Sequence, residues 1–441
     1  MKRIVASVGL VALGAASVQG QSSMSSMTGP AAKWWNVQAT VRGFYDDNLN
    51  TTPDHSTDKK VHTWGGEISP KVGISLGNDQ TTFTAEYKYA LLYYDHRPVG
   101  NSSKIDQDHT FNAALNHAFS ERYSVHVHDS FVIGQEPDAL RQDAAFHTPF
   151  RVSGNNIVNY GGFAFDADLT PVLGLEVGYD NAWYDYDNSF DPNSPLNVDP
   201  VTKQITPSLS GVFDRIESAP HLSLLWHVAP DTTASLTYQF RQVIYTAYEP
   251  LVGFEPAPNF KSSSIRDNRQ HSVYLGLDHQ FRPDFYGSVQ AGATYYDYYR
   301  DHSTSFGPYA RLSLTYVYAL ESSISAGFQE GRTASDVVGT DINNVVTDVE
   351  ASVLFAKLRQ RIVPNLFANL SGTAQRSQFN GGGVDINNKT EYFYELGANL
   401  EYQFNSHFSA EAGYDFDHLD SQLKLRSYYR NKFYVGATAS F

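Results

Sequence analysis

From Tyr428 to the carboxyl terminus the chain reads YYRNKFYVGATASF. From Phe433 onward the parities separate, with Phe433, Val435, Ala437, Ala439 and Phe441 on one and Tyr434, Gly436, Thr438 and Ser440 on the other. Alternation with period two is a β-strand with one apolar face. Such a face ending on an exposed Phe is an aggregation hazard in water and an ordinary wall in lipid. The pattern therefore predicts the closing strand of a transmembrane β-barrel.

The same alternation recurs upstream in a fixed rhythm of strand, long polar loop, strand, short turn. Residues 34–45 and 64–76 form the first pair, followed by the tight turn Gly77-Asn78-Asp79-Gln80; residues 82–94 and 109–119 repeat the unit. Later pairs meet at turns with explicit chemistry, Ala229-Pro230-Asp231, Arg282-Pro283-Asp284 and Asn405-Ser406-His407. The count is about eighteen strands, the even number expected when short turns face one side of a membrane and long loops the other. The fold expected is all-β: a transmembrane antiparallel up-and-down barrel with short periplasmic turns, long extracellular loops and both termini on the short-turn side. Two polar residues break the outward parity, Asp129 after Val125 and Val127, and His279; each predicts a local bulge or a position at headgroup level.

Composition narrows the choice. The 441 residues include no Cys, 29 Tyr and 27 Phe, and the formal charge is −15. Aromatics at that density suit strands and interfacial belts. Lack of Cys removes disulfides and thiol chemistry, and the negative charge opposes nucleic-acid binding. Lys2 and Arg3 precede an apolar run to Val18, with small residues at the cleavage positions, so residues 1–20 read as a signal peptide, an uncleaved anchor being the alternative. Residues 21–32 are a small, polar periplasmic lead, and 33–441 a single barrel domain. Rings near the short turns, among them Phe119, Tyr123, Trp226, Phe281, Phe404 and Phe408, fit a girdle at the hydrocarbon edge. A large soluble sandwich also alternates, but gives no reason for the loop asymmetry.

With those residues in view, the chain resembles the outer-membrane β-barrel porins of Gram-negative bacteria, including the β-barrel porin family whose relatives are eighteen-stranded barrels tied to exopolysaccharide export. Tyr434, Gly436 and Phe441 are similar to the carboxyl-terminal assembly signal of such proteins; Ala439 departs from it, being small where a larger apolar residue is usual. The resemblance implies a bacterial outer-membrane location, lipid and lipopolysaccharide around the wall, and recognition by the barrel-assembly machinery. It implies a channel for small polar solutes or saccharides, or alternatively an export barrel working with a periplasmic secretion system. Monomer and homotrimer both stay open.

A barrel of this size has a lumen wider than side chains fill, so its inner face is the functional surface. Inward acids outnumber inward bases by parity. Asp348, Glu350, Glu391, Glu395, Glu401, Glu411, Asp415 and Asp417 form an acidic wall, and Arg42, Arg430 and Lys432 a basic strip on the adjoining last and first strands. The arrangement predicts a mildly anionic, cation-favouring pore; the other reading is that these charges pair across strands and hydrate the wall. On the first reading Arg430→Glu alters selectivity and spares assembly. Inward Tyr274, Tyr286, Tyr296, Tyr298 and Tyr309 form a candidate saccharide track, or else fill lumen space or join the headgroup belt. Loops 135–155 and 188–213 are long enough for one of them to narrow the pore.

Enzyme chemistry finds little support. Gly73-Ile74-Ser75-Leu76-Gly77 matches a nucleophile elbow but enters a hairpin instead of a strand-to-helix turn. His126 and His128 share a face and could hold a metal, though a solvated pair is the simpler reading. No cofactor motif occurs. The expectation is a protein that is not an enzyme, with an outer-membrane hydrolase and a structural or adhesion barrel as lesser alternatives.

Overall fold

The computed structural model describes residues 33–57, 59–97, 103–134, 155–189, 191, 207–253 and 260–441. The expected signal peptide, the lead and most of loops 135–155 and 188–213 lie outside them. Eighteen antiparallel strands close a barrel. They are β1 Trp35–Asp46, β2 Thr63–Gly77, β3 Thr81–Tyr94, β4 Ile105–Ala118, β5 Tyr123–Gly134 and β6 Asn156–Asp168. Then come β7 Leu173–Tyr186, β8 Arg215–Ala229, β9 Thr232–Tyr245, β10 Asn268–Arg282, β11 Phe285–Tyr298 and β12 Ser303–Ala319. The last six are β13 Ser322–Thr333, β14 Asn344–Val363, β15 Leu366–Gly381, β16 Thr390–Gln403, β17 Phe408–Ser421 and β18 Tyr428–Ser440. A short helix, α1 (Leu209–Phe213), precedes β8. A hairpin of Pro250–Gly253 with Phe260–Ser262 and a turn of 3-10 helix at Ser263–Arg266 lie between β9 and β10.

Each strand pairs with its sequence neighbours, and β1 pairs with both β2 and β18. Closure is what lipid demands, since hydrocarbon offers a free edge no hydrogen-bond partner. The short turns form for reasons visible in the sequence. Asn78 Oδ1 accepts the N–H groups of Gln80 and Thr81 at 2.9 and 2.7 Å, and Asn405 Oδ1 those of His407 and Phe408 at 2.8 and 3.0 Å.

Outward residues are apolar and exposed, as Val435, Leu275 and Leu396 illustrate. Aromatic pairs border them at both ends. At the short-turn end Phe281 stacks on Phe285 (4.6 Å), and Phe119 and Phe404 pack edge-on against His117 and Tyr402. At the long-loop end His271 lies among Tyr238, Phe240 and Tyr295, and Tyr295 meets Phe306.

The expectation from sequence cuts several strands short at the long-loop end. β4 begins at Ile105 instead of 109 and β12 at Ser303 instead of 308, because alternation lapses there: Asp106, Gln107 and Asp108, and Ser303, Thr304 and Ser305, are polar on both faces although the pairing continues through them. His279 lies in the short-turn girdle, bonded to Thr232 (2.8 Å) and edge-on to Phe281, as a headgroup-level residue should be. Asp129 differs. The pairing of β5 with β4 and β6 runs through it without a register shift, so the bulge, one of the two expected explanations, is absent.

Candidate functional site: the lumen and its cap

Directly paired residues share a face, so the ladder assigns the inner wall. One inward row runs from Tyr428 through Leu419, Phe393, Gln375, Val353, Gln329 and Arg311 to Gln290. It puts odd positions of β14 inside. Glu350 therefore faces away from the lumen, against the expectation, and meets Arg332 at 3.4 Å. The cause is that the inward positions Val349, Ala351 and Val353 are apolar and buried, which inverts the polarity rule. Asp348 does not line open lumen either: it is 5 % exposed, bonded to Tyr298 Oη and Asn380.

The remaining acids fall on the inner face, but paired. Arg42 of β1 reaches Glu67 at 3.2 Å and Glu411 at 2.6 Å. The second contact crosses β18 at Gly436, which stands between Arg42 and Glu411 in the register; a Cβ there would press on Val41 O and crowd the bridge. Tyr434 lies over Gly413 and beneath the Arg42 guanidinium, 4.7 Å from its ring centre. Arg430 is 3 % exposed, with Nε on Asp46 at 2.9 Å and Nη1 on Asp417 at 2.9 Å. Lys432 and Asp415 are opposite-charge register partners, whereas Glu395 stands opposite Asp417, a like charge. Glu391 binds Arg426, which also holds Asp336 at 2.9 Å, and Glu401 lies 3.9 Å from Arg359. The acidic wall beside a basic strip is thus largely a set of cross-strand pairs, with the ionic seam of β17, β18, β1 and β2 at its centre.

Phe441 completes that seam. Its N–H donates to Val37 O at 2.8 Å, the Val37 N–H returns to Phe441 O at 3.0 Å, and its ring stacks on His407. Deleting Phe441 removes both bonds and the ring, so the folded fraction, read as heat-modifiable gel mobility, should fall while the conductance of barrels that do form is unchanged.

The tyrosines divide. Tyr274 and Tyr309 stack face to face at 4.4 Å across Gly292, whose missing Cβ leaves the space. Tyr296 is 3 % exposed under the Arg332 guanidinium, and Tyr298 is equally buried against Asp348. Tyr286 stands exposed near the short-turn end. They do not make one continuous file.

His126 and His128 belong to a wider inward group on β5 to β8. His126 Nε2 is 3.1 Å from Asp166, His221 Nε2 is 3.3 Å from Glu176, and Asp180 lies between His221 and His128 at 3.6 and 4.0 Å. Gly162 and Gly178 make room for these rings against the wall. Among the described residues no three potential ligands are arranged as a metal site. Ser75 sits in β2 just before the Asn78 turn, with no helix following.

The cap at the long-loop end is broader than the single inward loop expected from the sequence. Lumen-facing Val158, Tyr184 and Tyr186 pack with Val212 and Phe213 of α1, with Leu251 and Ile265 from the β9–β10 connection, and with Ala334 and Val338 from the β13–β14 connection. Arg266, fully buried, ties them: its guanidinium donates to the carbonyls of Val346, Ser335 and Val337 at 2.9 Å and of Val212 at 3.4 Å. The described end of loop 188–213 thus packs into the mouth, together with two loops the sequence did not single out; 135–154 lies outside the described residues.

Asp214, between α1 and β8, accepts the Tyr186 N–H at 2.8 Å and the Ser210 hydroxyl. Burial, together with Asp185 and Glu249, outweighs those bonds and pushes its carboxyl up to about 7. An open cap leaves the group near its ordinary 3.8. Between those pH values the closed cap binds a proton the open one lacks, so its stability falls as pH rises through the window and levels above it. Proteolysis of the cap should be slower at pH 5 than at pH 8 by this reasoning, and Asp214→Asn should flatten the difference.

An apolar outer belt, a closed ladder and a polar inner face define an outer-membrane β-barrel of porin-like kind. Residues 349–441 match the family model described as "Putative beta-barrel porin 2". No curated protein sequence matches. Among solved structures, the chain is similar to OccAB4 of Acinetobacter baumannii, at 11 % identity over 93 % of this chain and 99 % of that one, TM-score 0.42. It is also similar to a BenF-like porin of Pseudomonas fluorescens (11 % identity, 92 % and 99 % covered, TM-score 0.43) and to opdK of Pseudomonas aeruginosa (10 %, 92 % and 99 %, 0.44). Nothing about this chain's solute follows from likenesses at that level.

Proposed function

We propose that this barrel is an outer-membrane channel for small polar solutes, with a weak preference for cations. The observation that carries the reading is the inner wall itself, where charged groups are held by cross-strand partners: Lys71 on Glu86 (3.1 Å), Arg42 between Glu67 and Glu411, and the His126, Asp166, Glu176, His221 row. Paired charges hydrate a wall without binding one ion tightly, which suits passage better than capture. The same inner face also sets acid beside acid, Glu395 opposite Asp417 and Glu401 opposite Glu411, which leaves a modest negative bias.

Saccharide export is the weaker reading. Tyr274 and Tyr309 present their ring faces to each other, and Tyr296 and Tyr298 are buried against Arg332 and Asp348, so few faces are free to stack on sugars. The test is single-channel conductance in a planar bilayer with reversal potentials at two salt concentrations. Cation preference that weakens at high salt is expected; correctly folded barrels that do not conduct, or that strongly prefer anions, would overturn the proposal.

A further inference from the structure

Asp129 faces lipid. On the outer face of β5 it follows Tyr123, Val125 and Val127 and precedes Phe131 and Ile133, and its register partners are Ala113 and Gly161. The same outward row continues to Asn181 of β7 and Ser218 of β8, with Asn159 beside Phe131 in the next row. These groups make a small network. Asn159 Nδ2 donates to Asp129 Oδ1 at 2.9 Å, Asn181 Nδ2 to Glu217 O at 2.9 Å, and Tyr179 Oη to Ser218 Oγ at 3.2 Å.

Depth is what makes the cluster informative. Phe131, Ile157, Trp183 and Ile216 lie on its long-loop side and Val127, Phe163 and Leu222 on its short-turn side, so it is enclosed within the apolar belt and not at its edge. By contrast the outer columns of β10 and β11 at mid-wall are Val273, Leu275, Leu277 and Val289, Ala291, Ala293. Acyl chains cannot satisfy a carboxylate and two amides. Another protein surface with hydrogen-bonding groups at the same depth can.

We infer that the outer face of β5 to β8 around Gly161 is an interface between two copies of this chain, related by a two-fold axis along the membrane normal. The patch carries its own complement. Asp129 brings a carboxylate acceptor, while each amide holds one long bond, Asn159 to Ser130 O at 3.3 Å and Asn181 to Tyr179 Oη at 3.4 Å, that it can exchange for a carboxylate across the axis. A two-fold contact pairs a patch with itself, which is the relation these donors and acceptors need. Gly161 carries no side chain between Asp129 and Asn181, and the Asp129 carboxylate leans over it, 2.9 Å from where a Cβ would stand, so the acceptor sits at the centre of the patch.

The chain's lack of cysteine gives a clean test. Asn159→Cys and Leu275→Cys are each made in the full-length protein, checked for folding by heat-modifiable mobility, and oxidised in native outer membranes. A disulfide-linked product of twice the barrel's mass from Asn159→Cys, several-fold above that from Leu275→Cys, is expected, and adding Asp129→Leu should reduce it several-fold. Equal cross-linking at the two positions, no product, or an adduct of another mass would overturn the inference. The last would mean that a different protein covers the face. Conductance is a separate readout, so the interface can fail while the channel reading stands.

Discussion

Arg430→Glu is expected to stop the barrel from closing. The guanidinium lies at the joint between the first and last strands, on the inner face of β18, where it holds Asp46 of β1 and Asp417 of β17 at once. All three side chains are at most 3 % exposed. Removing one partner from a buried ionic group costs about 3–5 kcal/mol, and here the replacement adds a third carboxylate to two already unpaired. The strand cannot escape by slipping, because a one-residue shift would turn Phe433 and Val435 into the lumen. Loss of the heat-modifiable folded form, or a large drop in the urea midpoint, is the expected result. Arg430→Gln should be intermediate, and Arg42→Gln milder, since Arg42 is partly exposed and lost screening costs less there. A well-folded Arg430→Glu barrel with altered ion selectivity would restore the simpler view of Arg430 as a lumen charge.

That view is what the sequence supports, and its failure shows where sequence reading stops. Strands and short turns are legible because their determinants are local: period two along β18, and an Asn whose side chain accepts the N–H groups two and three residues on at Asn78 and Asn405. Arg430 could be placed on the inner face by parity alone. Its role needed Asp46, 384 residues away, which no spacing rule connects to it. Glu350 failed for a different reason. Parity equates polar with lumen, which holds where water fills the barrel and reverses where protein does; on β14 the inward Val349 belongs to a cluster with Phe379, Ile386 and Val337, and the inward Ala351 is buried as well. The tyrosines illustrate the same limit. Their strands are legible from alternation, but whether a ring is open to solute depends on Gly292 and Arg332, each effective only through a neighbouring strand.

The cap supplies the second large effect. Arg266→Met is expected to raise single-channel conductance several-fold without preventing assembly. Arg266 touches no strand of the seam; from the β9–β10 connection its bonds go to carbonyls of Val212 in the β7–β8 connection, of Ser335 and Val337 in the β13–β14 connection, and of Val346 at the start of β14. Met fills similar space but donates nothing, so these acceptors lose their common donor at about 1–3 kcal/mol for each one left buried and unsatisfied. Local structures of this size are stabilised by only part of a protein's total free energy. The apolar contacts of Val158, Tyr184, Phe213 and Ile265 then have to hold the cap unaided against the solvation those carbonyls would gain by opening. Arg266→Lys should fall between, because an ammonium keeps the charge but cannot fork to carbonyls on both sides. Proteolysis should follow conductance, with α1 and residues 334–338 cut faster in Arg266→Met than in the parent. If cutting accelerates and conductance does not change, the cap lies off the solute's path, and the constriction that sets conductance is elsewhere in the lumen.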